Sequence, residues 1–231
     1  MLGMFSRSGK WAVLALDDEG GKVLVRSDEF GFGKQNLLEL WVLRDGECVP
    51  IASWRPHPEA WAGNGDLKWA PFLDAETFAT CSGGGNLVLW NAADCRPLAQ
   101  VTIQSGCIPA LSEDRAWLAF AVGDRLCLLD TSQREISAAR SFPRKPDVPF
   151  FAFDASGRKL ACADRTGVMI WDLTDGRVEA EFVPAGIPVG GPIAMPHEDF
   201  VLLHRRTLVS VRTQVNVWQN TERRRRKPWG A

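Results

Sequence analysis

Between Phe150 and Val183 four short apolar runs, Phe150–Phe153, Leu160–Ala163, Val168–Leu173 and Val178–Val183, alternate with Asp154-Ala155-Ser156-Gly157, Asp164-Arg165-Thr166-Gly167 and Thr174-Asp175-Gly176. Runs this short, punctuated by residues that form tight turns, make a four-stranded antiparallel meander. The third run closes on Trp171-Asp172, and that position recurs. Trp41, Trp90, Leu129, Trp171 and Val211 follow one another at intervals of 49, 39, 42 and 40 residues. A beat near forty matches a repeat of four-stranded units and is too long for a leucine-rich solenoid. An immunoglobulin-like sandwich supplies even strands but no reason for such a recurrence.

Taken in order, the chain divides into units at about 1–54, 67–103, 107–142, 149–183 and 191–220, with a basic tail over 221–231. In the first, Leu2–Phe5 and Trp11–Leu16 are the first two expected strands. An excursion, Asp17–Asn36, then carries a protruding hairpin through Lys22–Arg26 before Leu37–Arg44 and Cys48–Trp54 finish the unit. The link Arg55–Asp66 leads to the second unit, with strands at Leu67–Phe72, Phe78–Cys81, Leu87–Asn91 and Leu98–Ile103. The third has Ile108–Leu111, Trp117–Val122, Leu126–Thr131 and Ile136–Phe142. The fifth has Ile193–Met195, Phe200–His204, Leu208–Arg212 and Val215–Trp218.

The Asp154-Ala155-Ser156-Gly157 turn, the strand Val168-Met169-Ile170-Trp171-Asp172, and Phe78–Ser82 followed by Leu87–Asn91 resemble the WD-repeat β-propeller family. The resemblance implies an all-β fold, a propeller of about five four-stranded antiparallel blades. It also implies a rigid disc that presents loop and rim surfaces to partner proteins. Two features depart from the family. No blade carries its Gly-His dipeptide, and Trp-Asp itself occurs once. Five blades, where seven are common, leave three arrangements open: a closed five-bladed ring, an arc closed by another chain, or a fragment of something longer. The reading leans towards the incomplete propeller.

Composition bounds the partners. The formal net charge is −1, and since Arg223–Lys227 alone carries +5, the remainder sums to −6. A basic nucleic-acid-binding body is therefore disfavoured, except through the tail residues Arg223, Arg224, Arg225, Arg226 and Lys227. Ten Trp and twelve Phe against no Tyr suit hydrophobic wedging between sheets. The six cysteines form no Cys-x-x-Cys pair and read as small buried hydrophobes of a reducing compartment. With no long apolar run to span a membrane and no secretion signal, the expected location is cytoplasmic.

Chemistry-bearing clusters are sparse. His57, His197 and His204 are scattered, and no catalytic residue, metal site or cofactor is assigned. Asp74, Asp154 and Glu198 share the first turn of their units. That placement is the basis for one alternative, a metal-assisted hydrolase or lactonase-like propeller, although acidic residues are also ordinary turn formers. Gly31-Phe32-Gly33-Lys34 reads as a hairpin tip rather than a phosphate cradle. The expected partner contacts are Arg55, His57 and Trp61 in the link, with Phe30 and Phe32 in the excursion. The expected partner is another protein, and open blade edges also allow self-association.

Overall fold

The computed structural model describes residues 10–28, 37–58, 67–143, 149–184, 189, 191–204, 207–214 and 216–219. They form five four-stranded antiparallel sheets in propeller-like succession, each a simple meander. The first sheet holds β1 (Lys10–Leu16), β2 (Lys22–Asp28), β3 (Leu37–Arg44) and β4 (Glu47–Trp54). The second holds β5 (Leu67–Trp69), β6 (Thr77–Ser82), β7 (Asn86–Asn91) and β8 (Pro97–Thr102). The third holds β9 (Ala110–Leu111), β10 (Trp117–Val122), β11 (Arg125–Asp130) and β12 (Arg140–Pro143). The fourth holds β13 (Phe150–Phe153), β14 (Lys159–Asp164), β15 (Gly167–Asp172) and β16 (Arg177–Phe182). The fifth holds β17 (Ile193–His197), β18 (Phe200–Leu203), β19 (Thr207–Ser210) and β20 (Asn216–Gln219).

Strand alternation explains how the sheets stack. In β15, Val168 and Ile170 enter a cluster shared with Val201, Leu203 and Val209 of the fifth sheet. Trp171, from the opposite face, joins Leu118, Phe120 and Leu128 of the third. In β7, Leu87 and Leu89 point into that same cluster, while Val88 and Trp90 meet Leu24, Leu38 and Leu40 of the first sheet. The middle strands are thus covered on both faces and read as nearly continuous apolar runs. The outermost strand β16, Arg-Val-Glu-Ala-Glu-Phe, is mostly exposed. Among the described residues no apolar cluster joins the fifth sheet to the first.

Two local devices repeat. A buried side chain closes the first turn of three sheets: the Lys22 N–H donates to Asp17 Oδ1 at 2.9 Å, Trp117 N–H to Ser112 Oγ at 2.9 Å and Lys159 N–H to Asp154 Oδ1 at 2.8 Å. Three residues after each of these, the chain turns left-handed, at Gly20 (φ 67°), Arg115 (φ 59°) and Gly157 (φ 68°). The second device is a register shift between the third and fourth strands of four sheets, at Leu40/Trp41, Leu89/Trp90, Ile170/Trp171 and Leu208/Val209. Such a bulge re-aims the strand at the point where the large side chain enters the seam.

These devices correct the expected boundaries. Lys22–Asp28 is not a protruding hairpin but the second strand of the first sheet, and Trp11–Leu16 lies in the first strand instead of the second. Asp17, Gly20 and Lys22 have the spacing of Asp154, Gly157 and Lys159, and that spacing sets the register. Leu2–Phe5 falls outside the described residues. The bulge likewise puts Val209, not Val211, in the place of Trp171. Ile136–Ala138 is a short 3-10 turn, and the strand expected there begins at Arg140.

Because Asp154 is only 3% exposed and accepts from the N–H groups of Ser156 and Lys159, Asp154→Ala leaves part-buried donors unanswered. The expected loss is about 2 kcal/mol in urea unfolding, against under about 1 kcal/mol for Asp154→Asn, which keeps an acceptor oxygen. Equal stability of the alanine variant and the parent would remove this turn-closing role.

Candidate functional site

The first turns of the sheets carry most of the charged side chains that link one sheet to another. Arg115 reaches Asp18 at 2.7 Å, joining the third sheet to the first. Arg134 forks onto Asp74 at 3.2 Å and Glu76 at 3.0 Å, joining the third to the second. Lys159 contacts Glu179 at 2.9 Å within its own sheet and Glu198 of the fifth at 3.8 Å. A hydrogen bond from the Ser112 hydroxyl, with another from the Ala116 N–H, holds the Asp114 carboxyl below the usual carboxylate range. Exposed pairs of this kind add little stability individually. Their effect here is to occupy these particular charged groups of the turns.

Asp74, Asp154 and Glu198 are therefore not brought together. Asp74 faces Arg134, Asp154 closes its own turn, and Glu198 lies near Lys159. Among the described residues no three His, Cys, Asp or Glu side chains are grouped as a metal would require. Among them, too, no helix is long and apolar enough to cross a membrane. All six cysteines are free thiols; Cys81, Cys107 and Cys162 are buried, and burial pushes the Cys81 thiol up to about 12.

In the link after β4, Arg55 is exposed while Pro56 and His57 are buried. His57 is 5% exposed, and neither ring nitrogen has a hydrogen-bond partner among the described residues. Burial pushes its pKa down to about 4. Just before it, the Trp54 ring lies 5.8 Å from Phe78 and 5.7 Å from Trp90, sealing the seam between the first two sheets. The Trp90 N–H donates to Thr80 Oγ1 at 2.8 Å and the Trp41 N–H to Glu39 Oε2 at 2.9 Å. Trp61, Phe30 and Phe32, and the tail residues Arg223–Lys227, lie outside the described residues.

One enclosure escapes the sequence reading. On the fourth sheet, towards its second turn and outer edge, a cavity of about 330 Å³ is lined by residues that include Asp164, Met169, Trp171, Glu181, Phe182 and Val183. The residues come from β14, β15, β16 and the segment just beyond, so no single stretch of sequence announces it. No family model matches this chain, and no curated protein matches it.

Proposed function

We propose that the chain is a WD-repeat-like propeller whose work is to hold partner proteins without chemical turnover, in the cytoplasm. One observation carries the reading. Both faces of the inner strands of the second, third and fourth sheets are taken up by neighbouring sheets, and Asp18, Asp74, Arg115, Arg134 and Glu198 are taken up by inter-sheet pairs. What remains free is rim and edge: exposed Arg55 in the link, the exposed apolar Val49 and Ile51 of β4, and Val178 of β16. Such surfaces suit recognition of another protein, and the fold itself does not choose which.

The test places a photo-crosslinking residue at Arg55, Ile51 or Val178 of the full chain, with the buried-turn position Ser112 as control. A defined protein should be captured from one rim site and not from the others or the control. Identical capture from all four positions, or capture from none, would overturn the platform reading. So would metal-dependent hydrolysis of lactone or phosphoester substrates that disappears in Asp154→Asn or Glu198→Gln.

A further inference from the structure

We propose that the basic segment Arg223–Trp229 of one copy of this chain docks on the acidic, turn-bearing end of a second copy. The contact is independent of which outside protein the rim holds.

In a four-stranded meander the first and third turns fall at one end of the sheet and the second turn at the other. Contacts between sheets bring the first- and third-turn ends of all five together. Arg115 meets Asp18, Arg134 meets Asp74 and Glu76, Lys159 meets Glu198, and Gly157 lies beside the Asp114 carboxylate. The described residues of these turns hold fourteen carboxylates and five cations, a net of −9. At the opposite end, the described second turns and links hold Asp124 against Arg55 and Arg165, a net of +1. The chain is thus polarised from end to end although its formal charge is only −1. Much of the acidic charge is not spent internally. Glu19, Asp45, Glu113 and Glu135 are exposed and pair with no described cation.

Apolar groups mark where on this end a segment settles. Leu16, 54% exposed, closes β1 just before the first turn, and Leu43, 45% exposed, donates its N–H to Gly21 O of that turn at 2.8 Å. Two bare leucines therefore stand beside Glu19 and Asp45. The segment Arg223–Trp229 has the complementary order, five cations followed by Pro228 and Trp229. Charge attracts and orients such a segment, and an aromatic ring laid on the leucines supplies contact area. Direction selects a second copy. β20 runs away from the third turn and ends at Gln219, paired with Thr207. Residues 220–231 therefore begin at the end of the fifth sheet opposite the acidic turns. A tail meeting the acidic end of the next copy is a head-to-tail contact, which leaves one tail and one acidic end unoccupied and so continues past a dimer.

Sedimentation equilibrium of the full chain at about 0.02 M salt should give a mass that rises with concentration past that of a dimer. Raising the salt to about 0.5 M should restore the monomer, since the screening length falls from about 20 Å to about 4 Å. A full chain carrying Arg223→Gln, Arg224→Gln, Arg225→Gln and Arg226→Gln together should be monomeric at both salts. Titrated with a synthetic peptide of residues 221–231, that variant should show saturable NMR amide shifts at Glu19, Leu43 and Glu113 and none at Gly84 or Asp124. Adding Glu19→Lys and Glu113→Lys, both at exposed turn positions, should weaken the peptide at least about fivefold by reversing two charges at the contact. A parent chain that stays monomeric at low salt would overturn the proposal, including one whose tail lies on its own acidic end. So would association that survives loss of the four arginines, or peptide shifts at the opposite end.

Discussion

Trp171→Ala is expected to lower the stability of the chain by roughly 3–5 kcal/mol, the range for deleting a large aromatic side chain from a packed interior. Trp171 is 2% exposed and is the largest fully buried side chain among the described residues. It stands at the bulge between β15 and β16, pairs across to Leu160, and wedges the fourth sheet against Leu118, Phe120 and Leu128 of the third. Its removal also enlarges the void it already borders, and the cost of a cavity rises with the volume that cannot collapse. Urea unfolding followed by far-ultraviolet circular dichroism is the measurement, with the slope checked so that a midpoint shift can be read as stability. Val178→Ser, on the 49% exposed side of β16, should change stability by no more than about 0.5 kcal/mol. A loss below about 1 kcal/mol for Trp171→Ala would mean that the seam between the third and fourth sheets is not held by this wedge.

The same position shows what a sequence of this kind makes legible. In the fourth sheet the expected run Phe150–Phe153 coincides with β13, and Val168–Leu173 differs from β15 by one residue at each end. There local turn chemistry, strand alternation and the forty-residue beat all agree. In the first sheet they do not. Asp17-Asp18-Glu19-Gly20-Gly21 looks like the start of an excursion, and the apolar run before it passes for a second strand. The deciding signal was present in the Asp-to-Gly-to-Lys spacing shared with the fourth sheet, because those three residues build one hydrogen-bonded turn. Ile136–Ala138 misled in a different way: a short apolar run carries no strand if the ladder bonds begin later, at Arg140.

Sites were less legible than strands, for a physical reason. The cavity beside Asp164 arises from the facing of three strands and from volume that no side chain fills, neither of which has a local pattern. Asp164-Arg165-Thr166-Gly167 reads as a turn, and it is one, but that Asp164 also lines a cavity appears only once the neighbouring strands are in place. His57 sits among Arg55, Pro56 and Pro58, a neighbourhood that suggests an exposed link. Its burial is set by where the chain crosses from one sheet to the next.

Acid should therefore weaken this protein well before its carboxylates are neutralised. His57 titrates near 4 in the folded chain because burial disfavours the imidazolium, against 6.5 for the ordinary histidine value that the unfolded chain takes. Between those two values the unfolded chain binds the extra proton and the folded chain does not. Stability is thus fully present above about pH 6.5, falls as the pH is lowered through that window, and levels off with respect to this group below about 4. The gap between 6.5 and about 4 corresponds to roughly 3 kcal/mol. Asp114 and Asp172, whose folded values are lowered, lose their contribution only at more acid pH, so the windows separate. Urea midpoints measured from pH 7.5 to 4.5 should fall steadily in the parent chain and much less in His57→Gln, which cannot acquire the charge. Because both ring nitrogens lack partners among the described residues, the glutamine variant should remain folded at neutral pH, where the comparison starts. Parallel profiles for the two proteins would show that His57 is reached by water or by a hydrogen-bonding partner when folded, and the seam between the first two sheets would then have no acid-labile point at this residue.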